Sequence, residues 1–490
     1  MHSPAFSASH GEVMTKAMCI ASSTTMNEPV IRRGFYPGIL RLRKIQRTIC
    51  IYTLSIQIIT TIFDNNNGRT QYLTACPFCL NTSYLTYTVA KEAIQMEITL
   101  QESCQLSTVA TLFHLPTYVL FAANPFLSTH VKSQHSIQVP GYAPKSVTLD
   151  KEMTDSVFAS AYKLPLRLVH LLYNASYFPE GAELVLPQRV TYPVTCFRQH
   201  YDYATCLHDI RALHHLFPFF RMRTVYKSVL GKPVTELQIG KGKKKIHINA
   251  SFHGNEWITT LALMRFVNEY LLAVTHDKKI FGHSASKLYR DVTLSIVPMV
   301  NPDGVDLVIH GSKAAYDYEE LVHFLNEGSY DFQGWKANIT GVDLNKQYPA
   351  KWEYEQLRKP KLPGPRDFPG LTPLTEPESI GMYELVVSED FDSVVALHTQ
   401  GEEIYWSFEE KEPPSTEELV VQMEHLSGYK AVKELDNYAG FKDWFIDSYQ
   451  RPGFTIELGK GQNPLPLEQV HTIYEKLRTI LMVILASDTI

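Results

Sequence analysis

One segment constrains the fold more than any other: an apolar strand pattern over residues 246–252 leads directly into a helical pattern over residues 257–272. The turn between them reads His253-Gly-Asn-Glu256. An imidazole and a carboxylate three residues apart on a rigid turn can converge on one cation, and two histidines with one glutamate form a catalytic zinc ligand set. The alternative is a solvated turn histidine beside a helix N-terminal glutamate, which the helix dipole favours.

Strand and helix patterns alternate along the C-terminal part of the chain. This alternation predicts an α/β sheet with a substantial parallel part. In such sheets ligands collect where strands end. The predicted strands cover residues 246–252, 292–300, 393–398 and 453–458, and the predicted helices cover residues 257–272 and 377–387.

Two further strand ends carry residues that could bind a metal or act in acid and base chemistry. His398 follows the apolar residues 394–397 and is either a metal ligand or a histidine satisfied inside the core. Glu457 lies in Phe454-Thr-Ile-Glu457, where alternation places it among buried positions. A buried carboxylate is costly unless it is paired, lies near a metal or stays protonated for acid and base chemistry.

Taken together, these residues resemble the metallocarboxypeptidase A family over nearly all of residues 201–490. The resemblance implies a mixed α/β sheet flanked by helices. It also implies that His253, Glu256 and His398 are the ligands of one zinc ion per catalytic domain, and that Glu457 is the general base and acid. The matching motifs are His253-Gly-Asn-Glu256, Asn301-Pro-Asp-Gly304, Gly341-Val-Asp-Leu-Asn345, His398 after its strand, and Phe454-Thr-Ile-Glu457.

The resemblance also implies substrate contacts. Lys336 matches the arginine that stabilises the oxyanion, and Asn345 with Lys346 matches the Asn-Arg pair that holds a terminal carboxylate. Because a lysine offers a point charge rather than a bidentate fork, we expect weak recognition of a free C-terminal carboxylate. Tyr438 matches the family's mobile catalytic tyrosine. Lys442 lies near the specificity position and would suit an acidic group on the substrate; for each lysine the alternative is a solvent-facing charge.

Two related segments of about fifty residues precede this domain. Each reads strand, helix, helix, strand, with Leu115-Pro116 or Leu164-Pro165 between the helices. These units resemble LysM modules, which bind N-acetylglucosamine-containing glycans such as peptidoglycan. We predict a first LysM-like module over residues 91–143, a second over residues 144–192 and a catalytic domain over residues 198–490. The alternative is a pair of helical hairpins that only pack on the enzyme.

Residues 1–90 are predicted to be a poorly organised N-terminal extension. Its apolar run at residues 49–63 is too short and too polar for a stable membrane span. The net charge of -5 gives no indication of a nucleic-acid partner.

The weakened carboxylate contacts and the LysM-like pair lead to one main hypothesis. With residues 341–352 and 371–377, they resemble the bacterial γ-D-glutamyl-L-diamino acid endopeptidases. We therefore predict a zinc-dependent peptidase that cuts the γ-D-glutamyl-L-diamino acid bond of peptidoglycan stem peptides. The alternatives are a carboxypeptidase acting on ordinary peptides and a catalytically inactive cell-wall-binding protein. We expect a cell-wall or secreted location, with the cytoplasm, including during sporulation, as the alternative.

Overall fold

A computed structural model describes residues 95–195, 200–433 and 436–490. The predicted N-terminal extension over residues 1–90 and its apolar run lie outside the described residues. Among those that are described, no single helix is long and apolar enough to span a membrane. The pair Leu106–Leu112 and Thr117–Ala123 reaches that length and apolar character only when its two helices, bent by 116°, are taken together.

Residues 95–192 form two successive units of short strands and two helices each. In the first unit the outer strands β1 and β4 pair antiparallel, and in the second β6 pairs with β7. The long strands β5 and β8 pair with each other over seven residues. The elements are β1 (Glu97–Thr99), β2 (Cys104–Gln105), α1 (Leu106–Leu112), α2 (Thr117–Ala123), β3 (His130–Val131), β4 (Ser136–Gln138), β5 (Tyr142–Thr148), β6 (Met153–Thr154), α3 (Asp155–Ala161), α4 (Leu166–Tyr173), β7 (Tyr177–Phe178) and β8 (Glu183–Arg189).

These two units pack on each other and on the rest of the chain. Leu168 and Leu171 of α4 lie in the core of the first unit. Val119 and Ala123 of α2 belong to the same core as the helices of the C-terminal part. The backbone N–H of Gly141 donates to the carbonyl of Leu216 at 2.6 Å. Residues 95–192 are therefore mounted directly on the C-terminal part.

The C-terminal part is built on a mixed sheet. Its strands are β9 (Arg221–Lys227), β10 (Pro233–Gly240), β11 (Lys244–Ala250), β12 (Lys279–Ile280), β13 (His283–Ser284), β14 (Val292–Val297), β15 (Ser393–His398), β16 (Glu403–Tyr405), β17 (Lys430–Val432) and β18 (Gly453–Glu457). Strands β12 and β13 pair with each other. The others form, within the described residues, one eight-stranded sheet in the order β17-β16-β18-β15-β11-β14-β10-β9.

The centre of this sheet is parallel and is joined to antiparallel strands on both sides, although the edge strand β17 pairs parallel with β16. Strand β11 pairs parallel with β14 and β15, and β15 pairs parallel with β18. Strand β10 runs antiparallel to both β14 and β9, and β16 runs antiparallel to β18. The predicted mixed α/β fold is confirmed for this part of the chain.

Helices cover both faces of the sheet. Alternate residues of β15 enter two cores: Val395 and Leu397 pack with α6 and α14, whereas Val394 and Ala396 pack with α11 and α13. This double burial explains why the central strands are nearly continuous apolar runs. The helices are α5 (Tyr203–Leu216), α6 (Ile258–Thr275), α7 (Ala285–Asp291), α8 (Pro302–His310), α9 (Glu319–Leu325), α10 (Trp352–Arg358), α11 (Pro377–Glu389), α12 (Ser415–Ser427), α13 (Phe441–Tyr449) and α14 (Val470–Ala486).

The parallel register brings three chain segments to one edge of the sheet. Leu397 is paired with Ala250, and His398 is paired with Glu457. His253 follows β11 by three residues and caps the short helical turn Gly254–Glu256. The carboxyl ends of β11, β15 and β18 therefore place His253, His398 and Glu457 side by side.

Candidate active site

The structure brings His253, Glu256 and His398 into one buried cluster. Nδ1 of His253 lies 2.8 Å from Oε1 of Glu256, and Nδ1 of His398 lies 3.0 Å from Oε2 of the same carboxylate. The two Nδ1 atoms are 3.2 Å apart. Tetrahedral zinc with ligand bonds near 2.0–2.1 Å separates its ligand atoms by about 3.3 Å. The cluster therefore has a donor set and a spacing that fit a zinc ion, and it could hold a metal.

Two glycines let the ligand-bearing turn pack closely against a neighbouring motif. A Cβ atom at Gly254 would lie 2.5 Å from the carbonyl oxygen of Gly304. Asn301, in the same motif as Gly304, donates from Nδ2 to the carbonyls of Phe252 and Ala337, at 3.2 and 3.0 Å. The Asn301-Pro-Asp-Gly304 motif thus fixes the turn that carries His253 and Glu256.

Asp343 holds the second nitrogen of His253. Its Oδ1 atom lies 3.2 Å from Nε2 of His253, and both side chains are buried. A carboxylate on the far nitrogen of a ligating histidine fixes the ring and raises its basicity. The Gly341-Val-Asp-Leu-Asn345 motif drew attention to this segment, but no role was predicted for Asp343.

The charges of this cluster favour a cation at its centre. Burial lowers the pKa of His253, but Glu256 and Asp343 outweigh burial and raise that pKa to about 9. Burial raises the pKa of Glu256, but His253 and Lys336 hold it well below its usual range. Burial lowers the pKa of His398, so this imidazole stays neutral and available as a ligand.

Glu457 lies beside the cluster with one carboxylate oxygen uncommitted. Among the described residues, its Oε2 atom is buried and has no hydrogen-bond partner. Burial and the negative charge of Glu256 raise the pKa of Glu457 to about 8. A carboxyl group with a pKa this close to neutrality can both accept and return a proton.

Lys336 approaches the same cluster from the segment that precedes the Gly341 motif. Its Nζ atom lies 3.7 Å from Oε1 of Glu256. Burial lowers the pKa of Lys336, but the nearby carboxylates of Glu256, Asp343 and Glu457 outweigh burial and raise that pKa above its usual value. The ammonium therefore stays charged. This places one positive charge at the edge of the candidate metal site.

The cluster opens into a cleft of about 570 Å³. Asn345, Lys346 and Lys442 line it, and their contacts with substrate stay a prediction. Nδ2 of Asn345 lies 3.3 Å from Nε2 of His398. The cleft is lined by His253, Lys336, Asp343, Asn345, Lys346, Arg358, Lys359, Asp367, His398, Tyr405, Asp436, Asn437, Gly440, Lys442, Asp443, Thr455 and Glu457.

Lys442 and Tyr438 make contacts within the protein. Nζ of Lys442 donates to the carbonyl of Ser407 at 2.7 Å and lies 2.5 Å from Oδ1 of Asp443. The ring of Tyr438 packs between the side chains of Lys351 and Arg358, with its centroid 5.4 Å from Nζ and 5.2 Å from Cζ. Tyr438 is outside the set of described residues that line the cleft, and its catalytic role stays a prediction.

A second group of possible ligands lies away from the cleft. Asp202, Asp306 and His310 also cluster within metal-binding reach. The ammonium of Lys232 lies 2.7 Å from Oδ2 of Asp306 and already neutralises that carboxylate. The buried cluster of His253 is therefore the better metal site.

The zinc carboxypeptidase family matches residues 207–479, a range that contains the whole cluster and the cleft. The chain belongs to the zinc carboxypeptidase family. The predicted family, the predicted class of metallopeptidase and the predicted zinc dependence are thereby confirmed.

Relatives of this zinc carboxypeptidase-family protein are found among bacteria. It is 43% identical over 385 residues to gamma-D-glutamyl-L-diamino acid endopeptidase 1 of Lysinibacillus sphaericus, covering 78% of this chain and 97% of that protein. It is 44% identical over 355 residues to the uncharacterized protein YqgT of Bacillus subtilis (strain 168), covering 69% of this chain and 93% of that protein. A structure of bovine thrombin-activatable fibrinolysis inhibitor, in complex with tick carboxypeptidase inhibitor, aligns with a TM-score of 0.47 at 19% identity, covering 59% of this chain and 97% of that one.

Proposed function

We propose that this zinc carboxypeptidase-family protein hydrolyses the γ-D-glutamyl-L-diamino acid bond of peptidoglycan stem peptides. The observation that carries the chemistry is the buried cluster of His253, Glu256 and His398 with Glu457 beside it at the foot of an open cleft. The choice of bond is supported by the 43% identity to an endopeptidase of that name over 97% of its length.

In this proposal His253, Glu256 and His398 hold the zinc ion. When bound, zinc supplies a Lewis acid that activates water and polarises the scissile carbonyl. Asp343 keeps the ring of His253 in its ligating orientation through the 3.2 Å contact. Glu457 accepts a proton from the attacking water at Oε2 and returns it to the leaving amine.

Lys336 supplies the positive charge for the oxyanion. Its ammonium lies at the edge of the cluster, and burial of the site strengthens its field compared with water. Asn345 and Lys442 also line the cleft. Lys442 forms an ion pair with Asp443, so that the two side chains together provide a cation and an anion. Such a pair suits a diamino acid, whose side chain can carry an amine and a carboxylate.

We further propose that residues 91–143 and 144–192 are LysM-like modules that bind the glycan of peptidoglycan. Each contains two helices enclosed by paired short strands. The 385 residues aligned with the Lysinibacillus enzyme exceed the length of residues 198–490, so the likeness extends into this N-terminal part. Binding the glycan would raise the local concentration of stem peptides at the cleft.

The direct test compares wild type, Glu457→Gln and Glu378→Gln on L-alanyl-γ-D-glutamyl-diaminopimelate. We expect wild type to release diaminopimelate and Glu457→Gln to lose about 10²–10⁴ in kcat while it retains zinc. Glu378 is a matched control, because it is also a buried glutamate whose pKa burial raises to about 8, and it lies outside the cleft. Fragments are identified by mass spectrometry, and zinc is measured by elemental analysis.

Two results would contradict the proposal in different ways. Full activity of Glu457→Gln would remove the proton-transfer role of Glu457. Failure of wild type to cut the γ-glutamyl bond, with cleavage of ordinary peptides, would refute the substrate while leaving the peptidase chemistry in place.

A further inference from the structure

The ammonium group of Lys346 is fully engaged inside the protein. Its Nζ atom lies 2.6 Å from Oε1 of Glu355, donates to Oδ1 of Asn437 and donates to the carbonyl of Tyr438 at 3.3 Å. An ammonium has three N–H donors, and here three protein oxygens surround it. Although Lys346 lines the cleft, its ammonium is therefore surrounded by oxygens of the protein itself.

Glu355 is the centre of this arrangement. It is fully buried on α10 and also accepts from Nε of Arg358 at 2.8 Å. Arg358 in turn lies 2.7 Å from Oδ2 of Asp436. The two cations and the two carboxylates balance, so this wall of the cleft presents no net charge.

Two neighbouring side chains at this wall also contact other parts of the protein. Oδ1 of Asn345 accepts from the backbone N–H of Phe441 at 2.9 Å, while its Nδ2 faces His398. Nζ of Lys359 lies 3.7 Å from Oδ1 of Asp367. A substrate carboxylate at this wall would lose its hydration and find the ammonium of Lys346 already paired with Glu355.

We propose that Glu355 is a specificity-determining residue, which keeps Lys346 from capturing a free C-terminal carboxylate and so makes this cleft that of an endopeptidase. The inference rests on the proposed function, since it concerns the residue after the scissile bond. In the protein, Lys346 acts as a structural cation, and the peptide chain beyond the diamino acid can continue without penalty. Glu355 touches no reacting atom, and its effect on substrates passes through Lys346.

The experiment uses pairs of peptides that differ only in ending with a carboxylate or a carboxamide. One pair is L-alanyl-γ-D-glutamyl-L-lysine, and the other is benzoyl-glycyl-L-lysine. The readout is the ratio of kcat/KM for the acid to kcat/KM for the amide. Cleavage of the first pair reports the proposed function, whereas the ratio within whichever pair is cut reports the present inference, so the two can fail separately.

We expect a wild-type ratio within about threefold of one. Glu355→Gln keeps the shape of the side chain but leaves Lys346 without its counter-charge, so the ratio should rise at least about tenfold. The double variant Glu355→Gln/Lys346→Met removes both charges and should return the ratio to the wild-type value. Glu353→Gln, an exposed position on the same helix, should leave the ratio unchanged.

Two results would overturn the inference. One is a wild-type preference for the acid of more than tenfold that the double variant abolishes, because Lys346 would then bind the carboxylate despite Glu355. The other is a folded Glu355→Gln variant with an unchanged ratio. If Glu355→Gln does not fold, the ratios of wild type and the double variant decide alone: equal ratios near one support the inference.

Discussion

Replacing Asp343 by asparagine tests whether the carboxylate behind His253 tunes the metal site. Unit charges 3.2 Å apart, the distance from Oδ1 to Nε2, interact by about 5 kcal/mol at an effective dielectric constant near 20. A neutral imidazole that donates an N–H gains only a fraction of this. Loss of such a partner commonly costs 10- to 100-fold in metal affinity, about 1.4–2.7 kcal/mol. We therefore expect Asp343→Asn to bind zinc 10- to 100-fold more weakly.

The assay is competition for zinc between the protein and a chromogenic chelator. Asp343 also helps to raise the pKa of His253 to about 9. Its loss therefore also weakens the binding of the proton that competes with zinc for His253. The deficit should therefore be larger at pH 9.5, where His253 is mostly unprotonated in both proteins, than at pH 7. Asp209→Asn, a buried aspartate on α5, serves as the control and should keep wild-type zinc affinity. Equal affinities of Asp343→Asn and wild type at pH 9.5 would refute the role of Asp343.

Three further predictions address charge, pH and packing. Lys336→Met should lower kcat/KM about 10²–10³-fold at unchanged zinc content; steady-state kinetics with elemental analysis check this, and unchanged kcat/KM would contradict it. Burial raises the pKa of Glu378 to about 8, above its unfolded value, so the folded state binds the extra proton and loses stability as pH rises from about 5 to 8. The free energy of unfolding of Glu378→Gln, measured with urea, should therefore fall less steeply with rising pH than that of wild type, by about 1.4 kcal/mol per pH unit. An unaltered slope would refute the raised pKa of Glu378. Leu171→Ala should destabilise residues 95–192 by about 2–5 kcal/mol, because Leu171 of the second unit fills the core of the first. Hydrogen exchange should become faster in both units, and faster exchange in the second unit alone would contradict this.

The central strands could be predicted from the sequence because they are buried on both faces. The predicted strand at residues 393–398 has the bounds of β15, whose six residues are all buried. The strand predicted over residues 292–300 ends at Val297 instead. Pro298 follows, and a proline has no N–H to continue the ladder.

The edge of the sheet gave no comparable signal. Strand β9 has no fully buried residue, and β16 has only three residues, so neither shows a clear alternation of apolar and polar side chains. Their pairing with β10 and β18 is decided by contacts between distant parts of the chain. Such contacts leave no local period in the sequence.

The same contrast between central strands and the rest of the chain applies to the residues of the active site. His253, His398 and Glu457 could be predicted to converge because each lies at or just after the end of a central strand. The partners Asp343 and Glu355 could not, because they come from irregular segments and a short helix far along the chain. Asp343 is 90 residues from His253, and its contact depends on how residues 326–351 fold over the sheet edge.

The packing of α2 into the core of the C-terminal part has a geometric consequence. Since Val119 and Ala123 share that core, residues 95–192 are packed against the C-terminal part and do not hang from it on a flexible linker. If residues 95–192 bind glycan as proposed, the bound glycan would lie at one fixed distance and one angle from Glu457. The proposed peptidase would then reach only those stem peptides that lie at that distance along the bound glycan.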